Sequence, residues 1–113
     1  MCFTVFAITA IYFKHMKNPI SNLQKVFESR IRLGIMSALM VNDEYDFNAL
    51  KELLDLTDGN LASHLKALEE KGLIDVKKQF IGRKPNTSYT ITTEGIQLFR
   101  EHLNALEKLI RTQ

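Results

Sequence analysis

The chain has 113 residues, 45% of them hydrophobic and 25% charged, with only two prolines and five glycines. That is the length and composition of one globular domain with a modest core, and it excludes a largely disordered chain. The formal net charge of +2 is too small to mark a polyanion binder by itself, and the single cysteine, Cys2, excludes an internal disulfide or a cysteine metal cluster. A lone cysteine fits a reducing cytoplasm.

Residues 1–17 open with the uncharged run MCFTVFAITAIYF. As a helix it would rise only about 20 Å, against roughly 30 Å of hydrocarbon in a bilayer, so a spanning helix is not expected. Lys14, His15 and Lys17 follow the run instead of preceding it, the reverse of a secretory signal. Two readings remain: an extra element covering an apolar surface of the domain or its dimer, or a translation start upstream of a natural one at Met16.

Asn18-Pro19 marks a boundary, and residues 18–113 read as one domain. From Ile20 to about Val41, Leu23, Val26, Phe27, Ile31, Ile35 and Leu39 recur at helical steps, with Ser29 and Gly34 as candidate breaks. VNDEYDF is polar and turn-like. FNALKELLDL predicts a compact helix with Leu50, Leu53 and Leu54 inward.

The next stretch, DGNLASHLKALEEKGLI, opens with Thr57 or Asp58 as a helix cap and stops at Gly72. At 100° per residue, Leu61, Leu65 and Leu68 form the buried stripe. Gly59, Asn60, Ser63, Lys66, Ala67 and Glu70 occupy the opposite arc, with His64 and Lys71 at its edge.

The period then changes to two. LIDVKKQFIG predicts a strand with Ile74, Val76 and Phe80 on one side, and TSYTITT a second with Tyr89 and Ile91 inward. GRKPN between them supplies turn residues, so an antiparallel pair with a basic tip is expected. A last helix runs from Thr93 or Glu94 to about Ile110. Its apolar residues Ile96, Phe99, Leu103, Leu106 and Ile110 fall at steps of 3, 4, 3 and 4, the rhythm of a helix that docks on a partner or on its own domain.

Charge is segregated along this order. Residues 41–58 carry six acids against one base, net −5, and residues 59–84 carry six bases against three acids, net +3. A basic stretch that starts in a helix and ends in a hairpin points to a polyanion. No glycine-rich phosphate loop, nucleophile with a matched base or paired acids are present, so an enzyme is not expected. His15, His64 and His102 are scattered, and neither a metal nor another cofactor is implied.

The segments LTDGNLASHLKALEEKGLI and GRKPNTSYTITTEG, in this order, resemble the recognition helix and wing of winged helix-turn-helix transcriptional regulators of the bacterial MarR and ArsR type. The likeness covers about Asn18 to Gln113. It implies a mainly α (α+β) fold with a two-stranded β wing and a long C-terminal helix, and double-stranded DNA as partner. Helix 58–71 would enter the major groove, where Gly59 and Ala67 let the backbone approach, Asn60 suits adenine, Ser63 serves several bases, and His64 and Lys66 reach base or phosphate. Wing 82–87, with Arg83, Lys84, Asn86 and Thr87, would follow the backbone or minor groove, and Lys77 and Lys78 would add phosphate contacts. The family also implies a homodimer, for which helix 94–110, through Ile96, Phe99, Leu103, Leu106 and Ile110, is the candidate surface. It leaves room for a small-molecule effector near that surface and gives no reason to expect a membrane. The alternative is a winged helix used for protein contact.

Overall fold

The computed structural model describes residues 20–111. The apolar run at 1–17 lies outside the described residues.

A 3-10 turn at Lys25–Phe27 precedes helix α1, Arg30–Val41. The helical pattern expected from Ile20 is broken at Ser29, one of its two candidate breaks, which is extended and accepts a hydrogen bond from the Arg32 backbone N–H. Gly34 does not break α1. It sits inside the helix, where a Cβ would come within 2.8 Å of Leu54 Cδ2, so the missing side chain lets the next helix pack close.

Tyr45–Asp46 forms strand β1, and Asp46 then caps helix α2, Phe47–Leu54, by accepting from Ala49 N–H at 2.7 Å. β1 was not expected. Two residues carry no readable period, and the strand exists because Tyr45 and Asp46 pair with Tyr89 and Ser88 across the chain. The expected inward Leu53 is also corrected, being 55% exposed. In an eight-residue helix one stripe fills with Phe47, Leu50 and Leu54, and Leu53 falls beside it.

Asp55 ends α2 in the left-handed conformation, φ 52°, and Thr57 starts helix α3, Asp58–Glu70, its side chain accepting from Asn60 N–H. Leu61, Leu65 and Leu68 are buried as the spacing required. Each such side chain contributes about 1.5–3 kcal/mol relative to exposure. Gly72, at φ +71°, closes α3, with its N–H bonded to Glu69 O and Leu73 N–H bonded to Leu68 O.

Strands β2, Ile74–Ile81, and β3, Lys84–Ile91, form the hairpin, with Ile81 opposite Lys84 and a tight Gly82-Arg83 turn. Gly82 takes φ +66°, which a glycine supplies without strain. The sheet has three strands in the order β1-β3-β2, one more than the wing alone.

Helix α4, Thr93–Arg111, is tied to the end of α3. The Thr92 hydroxyl donates to Gly72 O at 2.7 Å and accepts from Gly95 N–H at 2.9 Å, while Thr92 N–H donates to Leu73 O. A Cβ on Gly95 would collide with Leu73 O. Further along, Phe99 meets Phe27 edge-on at 5.3 Å, and buried His102 accepts from Gln24 N–H at 3.0 Å through Nδ1. Phe27, Ile35, Met36, Leu39, Leu50, the three α3 leucines, Ile74 and Tyr89 complete one core.

The expected dimer line of α4 needs correction at Phe99. Gly95, Phe99, His102 and Ala105 are the buried residues, so the inward face is rotated by roughly 80° from the centre of the Ile96-Phe99-Leu103-Leu106-Ile110 line at 100° per residue. Phe99 belongs to its own subunit's core, whereas Leu103 and Ile110 are 43% and 78% exposed.

Candidate nucleic-acid interface

The pattern of three leucines in α3 decides which way the rest of the helix points. With Leu61, Leu65 and Leu68 held by α1 and the sheet, Gly59, Asn60, Ala62, Ser63 and Lys66 are exposed, and Ala67 is half-buried. The first two turns thus present small and polar groups only. Asp58 reinforces this end of the helix, near the positive pole of the dipole, and pairs with Lys51 of α2 at 2.8 Å.

His64 is placed differently from its neighbours. It is half-buried, and its Nδ1 accepts a hydrogen bond from Arg32 Nε at 3.0 Å. Burial, followed by the Arg32 guanidinium, holds the imidazole below its ordinary value of 6.5. Arg32 was not among the expected site residues. Its spacing in α1 carries no sign of the contact, which depends on how α1 crosses α3.

On the hairpin, Lys77, Lys78, Arg83 and Lys84 are exposed, and Asn86 and Thr87 are half-buried. The register separates them. Lys78 pairs with Thr87 on the face shared by Val76 and Tyr89, while Lys77 pairs with Ser88 on the other. A groove of about 590 Å³ between α3 and the wing is lined by Lys66, Lys78 and Thr87, with Glu69 and Glu70 beside them. The fold therefore brings Lys66 to the wing lysine and threonine, and leaves Arg83 and Lys84 at the tip. Tyr89, in the same groove, is raised above its usual value by burial and by Glu69.

The tip also carries Phe80 and Ile81, 74% and 61% exposed. Phe80 was expected inward. Alternation places it correctly on the Ile74-Val76 face, but the hairpin extends past the core at that point, so the face has no cover. Sequence reasoning missed this because period two reports sidedness and not how far a strand reaches.

A profile described as a winged helix DNA-binding domain matches residues 31–110. The chain belongs to this family. An uncharacterized protein of Methanocaldococcus jannaschii is 40% identical over 85 residues, 75% of this chain and 92% of the relative. Among solved structures, a transcriptional regulator homologue from Pyrococcus horikoshii superposes with a TM-score of 0.75 at 31% identity, covering 88% of this chain and 96% of that one. Reduced AbfR, solved bound to DNA, shares the fold with a TM-score of 0.65 at 19% identity, over 95% of this chain and 72% of that one. AbfR of Staphylococcus epidermidis has the same fold, with a TM-score of 0.66 at 19% identity over 96% of this chain and 71% of that one. In this winged helix, α2 and α3 are the helix-turn-helix and β2-β3 the wing. Its family and fold are those of DNA-binding transcriptional regulators, not of enzymes.

Among the described residues no cluster of three or more His, Cys, Asp or Glu is arranged to hold a metal ion, and no helix is long and apolar enough to cross a membrane. A polar concavity of about 310 Å³, lined by Asn22, Gln24, Glu101 and Asn104 among others, lies between the N-terminal turn and α4.

Proposed function

We propose that this winged helix is a dimeric, sequence-specific transcriptional repressor that reads double-stranded DNA with the first two turns of α3 in the major groove. The observation that carries the reading is the exposed start of α3. Gly59, Ala62 and Ser63 leave the backbone free to approach base edges, with Asn60 beside them. Asn60 offers the bidentate pairing that selects adenine, and Ser63 a hydroxyl that serves several bases. Lys66, Lys78 and Thr87 line the groove through which a sugar-phosphate strand would pass between helix and wing. Glu69 and Glu70 repel phosphates further along, which confines contact to the helix start. Arg83 and Lys84 at the wing tip reach backbone or minor groove.

Two half-sites one helical turn apart require two copies of α3, and the exposed Leu103 and Ile110, with half-buried Ile96 and Leu106, form the apolar line on α4 that a second copy would cover. Occupying an operator as a dimer blocks polymerase sterically.

Selection of bound duplexes from genomic fragments, followed by anisotropy titration at several salt concentrations, tests the reading. It expects a palindromic site and an affinity that falls steeply with salt, with a log-log slope of about −0.9 per phosphate contacted. Replacing Arg83 and Lys84 by Ala should reduce that slope by about 2 and weaken all sequences alike, while Asn60→Ala should relax preference at one position. Binding no tighter than micromolar and indifferent to salt would favour the second reading, a protein-contact module. The exposed Phe80 and Ile81 are the observation on its side.

A further inference from the structure

The hydrogen bond between α1 and α3 has a chemical direction. Arg32 Nε carries one hydrogen and no acceptor lone pair, so at 3.0 Å from His64 Nδ1 it can only donate. Nδ1 must then be unprotonated, and a neutral imidazole with a bare Nδ1 carries its proton on Nε2. Arg32 is itself held from the other side, its Nη1 donating to Val26 O at 3.2 Å, so the guanidinium cannot swing away without giving up that bond to the turn before α1. His64 Nε2 makes no hydrogen bond to any described residue, and it is carried one position after Ser63 on the helix assigned above to the major groove.

We propose that Arg32 is a positioning residue for DNA recognition. It locks His64 as a one-way donor, whose Nε2–H meets an acceptor on the DNA: a purine N7, guanine O6 or thymine O4 on a base edge, or a phosphate oxygen. The amino groups of adenine and cytosine are refused, because the ring has no acceptor left to offer them. This rests on the DNA-reading function of α3. Protonation would turn Nδ1–H against Nε–H of Arg32 and break the bond, so the lock holds only while the ring is neutral. Arg32 is the charged group that acts on the ring from α1, and it favours that neutral form.

The test joins spectroscopy to a double-mutant cycle, using the full chain and a duplex obtained by selection. Long-range 1H–15N spectra of histidine-labelled protein should show His64 with Nδ1 bare and Nε2 protonated, free and bound. Arg32→Met should lower affinity by about threefold to tenfold in the wild-type background and leave His64→Ala unchanged. Arg32→Lys should recover part of the loss. His64→Gln, which keeps a donor near the Nε2 position, should bind more tightly than His64→Ala. Replacing single purines by their 7-deaza analogues, substituting other base acceptors and scanning with methylphosphonates then separates a base-edge acceptor from a phosphate.

Were Arg32→Met to unfold, the wild-type spectra and the two His64 variants would still decide the matter. A proton found on Nδ1, losses that add between Arg32→Met and His64→Ala, or equal binding by His64→Gln and His64→Ala overturns the proposal while the DNA reading stands. A wild-type protein that selects no duplex overturns both.

Discussion

Helices α3 and α4 are both amphipathic, and they bury opposite kinds of residue. α3 commits its three leucines inward and leaves glycine, alanine, serine and asparagine outside at its start. α4 turns Gly95, Ala105 and a histidine inward with a single phenylalanine, and carries Leu103 and Ile110 on its outer side. A helix that spends its aliphatics on its own core has a polar surface free for a ligand. One that packs through small residues and keeps its aliphatics outside is shaped for a second apolar partner. On the proposed function, the contrast separates a reading element from a joining element within one domain.

The contrast can be broken most severely at α3. Leu65→Ala removes a fully packed side chain from the junction of α1, α3 and the sheet, and should destabilise the fold by about 2–5 kcal/mol in urea unfolding. A loss below 1 kcal/mol, roughly one buried methylene, would show that this stripe is not what anchors the helix.

At α4 the corresponding weak point is a glycine. Gly95→Ala places a methyl group against Leu73 O, at the seam where Thr92 ties the two helices together, and should lower stability by about 1–3 kcal/mol. An unchanged midpoint would mean that α4 can lift off the end of α3 freely.

His102 gives α4 a pH dependence that the leucine stripe of α3 cannot have. Burial holds its folded value below 6.5, with the Glu28 carboxylate acting in the opposite sense. As the pH drops below 6.5, the unfolded chain takes up the proton first, so stability is full above that value and declines on acidification towards the lower folded value. His64, also depressed, adds in the same direction. Denaturant midpoints measured between about pH 7 and 5 should fall, and His102→Asn should flatten the slope. An equally steep slope in the variant would assign the effect to other groups.

The smallest change in stability is expected on the outer side of α4. Ile110→Lys should alter unfolding of the monomer by less than about 0.5 kcal/mol, while for the dimer proposed above sedimentation should show the variant dissociating at concentrations where the wild type remains paired. A dimer that survives would move the interface off this line.

Much of the reading element was legible because its signals are local. Thr57 and Gly72 cap α3 by bonds to residues within five positions, and the Leu61-Leu65-Leu68 stripe needs only helical periodicity and a core on one side. The reversal was legible at Gly82, whose positive φ is a property of the turn itself, but Lys84, Pro85 and Asn86, expected in the turn, extend β3 by pairing with Ile81, Phe80 and Gln79. In α4 the same logic located the apolar line but not the buried face. Its Ile96-to-Ile110 stripe is the most hydrophobic line, but Gln24, Phe27 and the carbonyl of Leu73 occupy the face rotated from it, and small residues were needed there.

The amino-acid order by itself determined the helices, the hairpin, the α3 stripe and the segregation of charge, because each depends on side chains within a few residues of one another. Only the tertiary structure decided that Tyr45 and Asp46 form a strand, that Phe99 is core while Ile110 is surface, that Phe80 lies beyond the cover of α3, and that Arg32 grips His64. Those outcomes turn on distant segments competing for the same space. Local spacing fixes which side of an element is apolar, and the crossing of one element over another selects what that side meets.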